Sequence, residues 1–170
     1  DITPLRDSTN AATTTTEALD NSETAIDLLS VSGFKTAGVI IIGSEIITYT
    51  GISSLTLTGC TRGTNSTSAA AHDSGAAVTQ VLIAPIATAD ESTVITVTDS
   101  GHGAVVGDFV VFSGAAATGG VSAENLNRKA GYQIVTVSNA NTYTITSPTE
   151  ATSTVSAGGG NTVVINYLIG

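Results

Sequence analysis

The sequence predicts an all-β fold: two small antiparallel β-sandwich or barrel-like modules in series, behind an extended N-terminal arm. Three observations predict it. β-branched runs recur between glycine-rich turns, the apolar content is Ala, Val, Ile and Leu with only 4% aromatics, and charged residues make up 11% where about 25% is ordinary. Small and branched side chains fill thin cores, of the kind found between sheets or inside narrow barrels. At 170 residues the chain has room for one ordinary domain or two small ones, since domains cluster around ~100 to 150 residues.

Residues 1–22 read as the arm, because Asn10 to Asp20 is Thr, Ala and Asn without periodicity. The first module is 23–84. Glu23 to Val31 alternates loosely and ends at Ser32-Gly33, which fits a strand or a short helix. Gly38 to Gly43 and Glu45 to Thr50 are β-branched runs joined as a hairpin through Gly43-Ser44. Leu55 to Thr58 alternates with period two and adds a third strand of a meander. From Thr61 to Gly75 the pattern changes to a long loop with one helical turn at Ala69 to His72, and Ala77 to Ile83 resumes as a strand. Ala84-Pro85 punctuates it, and the second module, 85–170, starts there. Its strands are Ser92 to Thr98, Asp108 to Ser113, Gly131 to Val137, Thr142 to Thr146 and Thr154-Val155, with Ser138 to Asn141 turning between the third and fourth. Asn161 to Gly170 reads as a last strand, whose open edge is expected to pair with something. No fixed period relates the two halves.

Charge narrows the partners. With 14 acids against 5 bases, net −9, and the bases Arg6, Lys35, Arg62, Arg128 and Lys129 scattered, the chain offers no counterion-releasing patch, so nucleic acid is not an expected partner. The longest apolar run, Val39 to Ile42, is far short of the ~20 residues of a helical membrane span, and an acidic surface has little attraction for anionic lipid. A neutral Ser/Thr/Ala/Gly surface has little colloidal repulsion and suits faces that end against other subunits. Cys60 is alone and reads as a buried, inert thiol. With no Met and a start at Asp1-Ile2-Thr3-Pro4, the chain reads as a processed product or a window of a longer polypeptide.

Residues that could carry chemistry are few. His102 in Asp99-Ser100-Gly101-His102-Gly103, with Asp108 nearby, suggests a Ser-His-Asp constellation using Ser100 or Ser113, but no Gly-x-Ser-x-Gly elbow frames either serine. A turn histidine bonding the backbone is the expectation. His72-Asp73 with a distant Cys60 is not a zinc spacing, and His72 reads as a loop histidine. Asp90, Glu91, Asp99 and Asp108 make no Asp-x-Asp-x-Asp-Gly calcium loop. Arg62 either pairs a carboxylate across an interface or ties its loop to its own backbone, with the second favoured. Asn65-Ser66-Thr67 matches a glycosylation acceptor, as a Ser/Thr-rich chain does by chance. Gly158 to Gly160 lacks the Lys-Ser/Thr pair of a phosphate loop and reads as a flexible turn. No catalytic, cofactor-binding or metal-ligating residue is therefore assigned, and no cofactor is expected.

Two segments resemble known modules. Val39 to Gly51 (VIIIGSEIITYTG), then Leu55 to Thr64 (LTLTGCTRGT) and Ala69 to Gly75, resemble a module recurrent in structural proteins of tailed bacteriophages, across roughly residues 13–83. The second half is similar to another small phage β module through Val94 to Thr98, His102-Gly103, Val106 to Val110 and Asn141 to Ile145. The resemblance implies a non-enzymatic virion component, tail or neck associated and assembled in the host cytoplasm. Its implied partners are other virion proteins and copies of itself as a homo-oligomer. The competing expectations are a capsid decoration protein, a bacterial adhesin or extracellular filament subunit accepting strand donation by Asp1 to Thr16, and a glycan-active protein. The last is disfavoured by the absence of Trp.

Overall fold

The computed structural model describes residues 6–8 and 11–169. In chain order its strands begin with β1 (Arg6–Ser8), β2 (Ala12–Thr14), β3 (Ile26–Asp27), β4 (Gly38–Ile42), β5 (Glu45–Tyr49), β6 (Gly51–Ser53), β7 (Thr56–Thr58), β8 (Thr61–Thr64) and β9 (Ala77–Val81). They continue with β10 (Ile86–Thr88), β11 (Val94–Thr98), β12 (Phe109–Ser113), β13 (Tyr132–Gln133), β14 (Thr136–Asn139), β15 (Thr142–Thr146), β16 (Val155–Gly158) and β17 (Val164–Ile169). One short helix, α1 (Ala123–Leu126), lies between β12 and β13, capped by the Ser122 side chain on the Asn125 N–H. The chain is all-β, in antiparallel sheets, and divides into two compact units: Asn10–Val81, and Leu82–Gly170 together with Asp1–Thr9. The first is thus an insertion in the sequence of the second.

In the inserted unit, a five-stranded sheet of order β2-β9-β4-β5-β8 accompanies a three-stranded sheet of order β3-β7-β6. Strands β4 and β5 form the expected hairpin, pairing from Gly38 with Tyr49 to Ile42 with Glu45. Side chains on a strand alternate between faces, so Ile40 and Ile42 of β4 and Ile47 and Tyr49 of β5 enter a core shared with Leu19, Ile26, Leu28, Leu57, Cys60 and Val78. The chain does not continue from β5 as a simple meander. Past Thr50, whose N–H bonds the Thr58 carbonyl at 3.0 Å, β6 and β7 make a hairpin of their own and pair with β3.

The flanking unit has a four-stranded sheet, β1-β17-β12-β13, and a five-stranded sheet, β14-β15-β11-β10-β16. Val110 and Phe112 of β12, Ile165 and Tyr167 of β17, Ile95 and Val97 of β11 and Tyr143 and Ile145 of β15 belong to one core. The outward positions differ. On the five-stranded sheet they include Thr136, Thr144 and Thr96, with Thr144 opposite both of the others and its hydroxyl 2.6 Å from that of Thr136, and also the half-exposed Val94 of β11. On the four-stranded sheet Phe109 stands opposite Leu168 and beside Gln133, and Phe109 and Leu168 are 42% and 41% exposed. Val105, Val106 and Val135, close in sequence to those strands, are also exposed.

Several expectations change. Of the predicted arm, residues 1–5, 9 and 10 lie outside the described residues, but β1 and β2 are paired strands, Leu19 is buried, and Thr15 and Leu19 bridge to Leu28 and His72. Threonine is a good strand former even without large apolar neighbours, so a polar strand forms here without the apolar alternation that marks the others. The division falls between Val81 and Leu82 rather than after residue 84, and β1 joins the later unit. Thr61 to Gly75 is not all loop, since β8 pairs with β5, and His72 sits in an isolated bridge with no helical turn before it. The last strand is not an open edge: β17 lies between β12 and β1.

Truncation of the fully buried Leu57 to Ala is expected to cost about 2–5 kcal/mol through lost burial and a residual cavity. Truncation of the half-exposed Leu55 two residues earlier should stay within about 0.5 kcal/mol. Denaturant unfolding of both variants measures the contrast.

Candidate functional site

The most concentrated polar chemistry surrounds Glu45, a carboxylate at the start of a strand whose alternation points it inward with Ile47 and Tyr49. Its side chain is 1% exposed. An ionised carboxylate out of water must be met by donors, and Glu45 is met on both oxygens. Oε1 accepts from Arg62 Nε at 2.8 Å and from the Gly63 N–H at 3.0 Å. Oε2 accepts from Arg62 Nη2 at 2.9 Å and the Ala70 N–H at 3.2 Å, and lies 2.6 Å from His72 Nε2. The arginine fork fits a carboxylate in two parallel bonds, and its remaining donors reach the carbonyls of Asp20 (Nη1, 2.7 Å) and Ala70 (Nη2, 2.6 Å). Gly63 is required here. Its φ is +60°, and a Cβ would fall 2.5 Å from the Ala69 nitrogen.

Burial pushes the Glu45 carboxyl up, but the Arg62 and His72 bonds and the Ala70 N–H outweigh it and hold it down at about 2. The arrangement is a staple. It closes residues 62–72 over the end of β5 and engages the Asp20 carbonyl, leaving no oxygen of Glu45 without a donor. Arg62 bonds the backbone carbonyls of Asp20 and Ala70, the tie to its own backbone that the sequence favours, but its two-bond partner is a carboxylate of the same chain, Glu45, which the sequence reading does not single out. The available signal was the strand period, which puts an acid on the face of Ile47 and Tyr49 in a half of the chain holding three bases, Arg6, Lys35 and Arg62.

Near the same core, the Tyr49 hydroxyl donates to the Lys35 carbonyl at 2.7 Å and accepts from Gln80 Nε2 at 2.6 Å, and Gln80 Oε1 accepts the Lys35 N–H. Burial pushes Tyr49 up to about 12. It also pushes the Cys60 thiol up to about 11, so little nucleophilic thiolate exists at neutral pH.

In the flanking unit, His102 is buried. Its Nδ1 accepts the Ala104 N–H at 3.0 Å and its Nε2 is 3.1 Å from the Asn139 carbonyl, which fixes the tautomer with the proton on Nε2. Both nitrogens are thereby held by main chain, and no lone pair remains to take a proton from a serine hydroxyl. The Ser100 hydroxyl bonds Asn141 Oδ1 at 3.3 Å. Ser113 is exposed on β12 opposite Val164. Asp108 Oδ2 accepts the Val105 N–H at 2.8 Å, closing the turn before β12. The His102 ring packs edge-on against Tyr143 at 5.1 Å. Beside it the Tyr167 hydroxyl lies 2.6 Å from Asp99 Oδ2 and 3.1 Å from the Tyr143 hydroxyl. Burial raises both tyrosines far above their ordinary range, so both stay neutral, and Tyr167 donates to the inward Asp99.

The other flagged residues are scattered. Asp90 and Glu91 are exposed while Asp99 and Asp108 are buried, and among the described residues no group of three or more His, Cys, Asp or Glu stands ready to hold a metal. The Thr67 hydroxyl donates to the Thr64 carbonyl and accepts the Ile46 N–H, which fastens the Asn65 turn to β5. Gly158 to Gly160, expected as a flexible turn, is packed: the carbonyls of Gly159 and Gly160 accept from Ala116 and Ala84, and Gly159 is buried against Ile86.

No family model matches the chain, and no curated protein matches it. Among solved structures it is similar to the phage phi92 endosialidase, at 15% identity and a TM-score of 0.41, over 93% of this chain and 30% of that one. The chain therefore spans about a third of that protein's length. A likeness of this strength transfers neither residues nor chemistry.

Replacing Glu45 by Gln should destabilise the inserted unit by about 3–5 kcal/mol, the range for breaking a buried pair from one side. Because the folded carboxyl titrates near 2 rather than 4.5, its contribution is complete above about pH 4.5 and is lost as pH falls toward 2. Unfolding midpoints between pH 6 and 2 should fall for the native chain and fall less steeply for Glu45→Gln. His102→Ala should cost about 1–3 kcal/mol by stranding the Ala104 N–H and Asn139 carbonyl and leave any hydrolytic activity unchanged. An activity that vanished with this substitution would identify His102 as catalytic.

Proposed function

We propose that this chain is a non-enzymatic structural module of a tailed-bacteriophage virion, placed in the tail or neck and working through interfaces with copies of itself and other virion proteins. The observation that carries the reading is the fate of the phage-like signature. In Glu45 to Gly51 and Leu57 to Gly63, the residues capable of chemistry are spent on scaffolding: Glu45, Arg62 and Gly63 lock to one another, Tyr49 holds the Lys35 carbonyl, and Cys60 is buried. A motif used this way maintains a shape, and a maintained shape serves contact.

The outward faces of the flanking unit support the assembly part. Outward positions are free of the core's demands, yet β12 and β17 place Phe109, Val111, Val164 and Leu168 there alongside Asn166, where the other sheet places threonines and Val94. Exposed apolar surface of that kind is characteristic of contact sites, and a neutral face is where chains of net charge −9 can meet without repulsion.

Light scattering and electron-microscope class averages of the native protein test the reading. The expected result is a ring, a tube or a particle-bound oligomer, whose symmetry would separate tail from capsid, whereas a dispersed monomer at every concentration would refute it. Phe109→Asp and Leu168→Asp should each reduce the assembled mass while lowering the melting temperature by no more than a few degrees, since both side chains already meet solvent.

A further inference from the structure

We propose that β1 is an exchangeable strand: in the assembly, Arg6–Ser8 of one copy pairs with β17 of a second copy. The inference rests on the assembly reading above and names the contact that joins the copies. β1 is a short edge strand whose neighbour in the sheet is β17, in the register Arg6 with Ile169, Asp7 with Leu168 and Ser8 with Tyr167. That pairing identifies the occupant of the β17 edge, because the chain itself shows that this sequence fits the site. The ladder is made of main-chain bonds, so the same segment from another copy makes the same bonds, and exchange alters the connection rather than the contacts.

The connection favours exchange. β1 completes the sheet of the flanking unit, but in sequence it runs directly into the inserted unit, where the Ala11 carbonyl accepts the Gln80 N–H at 2.8 Å and Ala12 begins β2. Only Thr9 and Asn10 separate β1 from that anchored backbone. The three paired residues add only a few net hydrogen bonds, each about 0.5–1.5 kcal/mol, so the strand can leave one β17 for another without unfolding a core. Beside the slot, Leu168 and Phe109 form the exposed apolar row, which a second body arriving with its strand would cover.

Cysteine pairing tests it. Asp7→Cys in one preparation and Leu168→Cys in a second, distinguishable by mass, are mixed, co-refolded and oxidised, and the products are separated without reductant. Directly opposed strand residues have Cβ atoms about 4.5–5.5 Å apart, close enough for a disulfide after a small shift, while the native Cys60 is buried. The expected product is a disulfide-joined pair containing one chain of each kind, in assemblies of native mass. The result that overturns exchange while sparing the assembly reading is no mixed pair, together with a doubly substituted chain that closes on itself in assemblies of native mass. A dispersed monomer by scattering overturns both. Absence of any disulfide overturns the register and the exchange with it. As a second readout that needs no disulfide, deleting residues 1–8 should at least halve the assembled mass, and an unchanged mass would also overturn the proposal.

Discussion

A carboxylate taken out of water has to be answered, and the inserted unit is arranged around the answer to Glu45. The hairpin of β4 and β5 is dictated by its isoleucines, but its alternation carries an acid inward at the strand's first position. From there the chain must return Arg62, the Gly63 and Ala70 N–H groups and His72 to one point. The same constraint brings residues 62–72 back across the end of β5 and sets His72 opposite Leu19. A buried ion pair adds little net stability compared with an apolar substitute. What it supplies here is a fixed path for a stretch that lacks the apolar side chains to fix itself.

The flanking unit handles buried polarity differently. There Tyr167 donates to the carboxylate of Asp99 and meets the Tyr143 hydroxyl, the His102 ring packs edge-on against Tyr143, and both tyrosines belong to the aliphatic core. Tyrosine suits this role because one end is apolar bulk and the other a donor. In a chain with no Trp and few aromatics, placing its tyrosines at such junctions gives each of them two tasks.

Long β-branched runs were legible from sequence. β4, β5, β9, β11, β12 and β15 all lie where alternation and bounding turns put them, because burial of one face leaves its imprint on every second residue. What escaped was short or polar. β2, β6 and β10 are three residues long, too few to display a period. The pairing of β1 with β17 joins residues nearly the whole length of the chain apart, from Arg6 with Ile169 to Ser8 with Tyr167, which no local pattern records. The site followed the same rule. Arg62 stood out by type, but its partner is distant in sequence, and only the inward phase of β5 betrayed it.

The insertion of one unit within the sequence of the other has a temporal side. Residues 10–81 are contiguous, so that unit has all its strands as soon as its own stretch has emerged from the ribosome. The other cannot finish its four-stranded sheet until β17, the last described strand, has been made. At about 5–20 residues per second, β1 waits on the order of 8–30 s for the strand it pairs with. Throughout that interval its main-chain edge lacks the strand it pairs with in the finished fold.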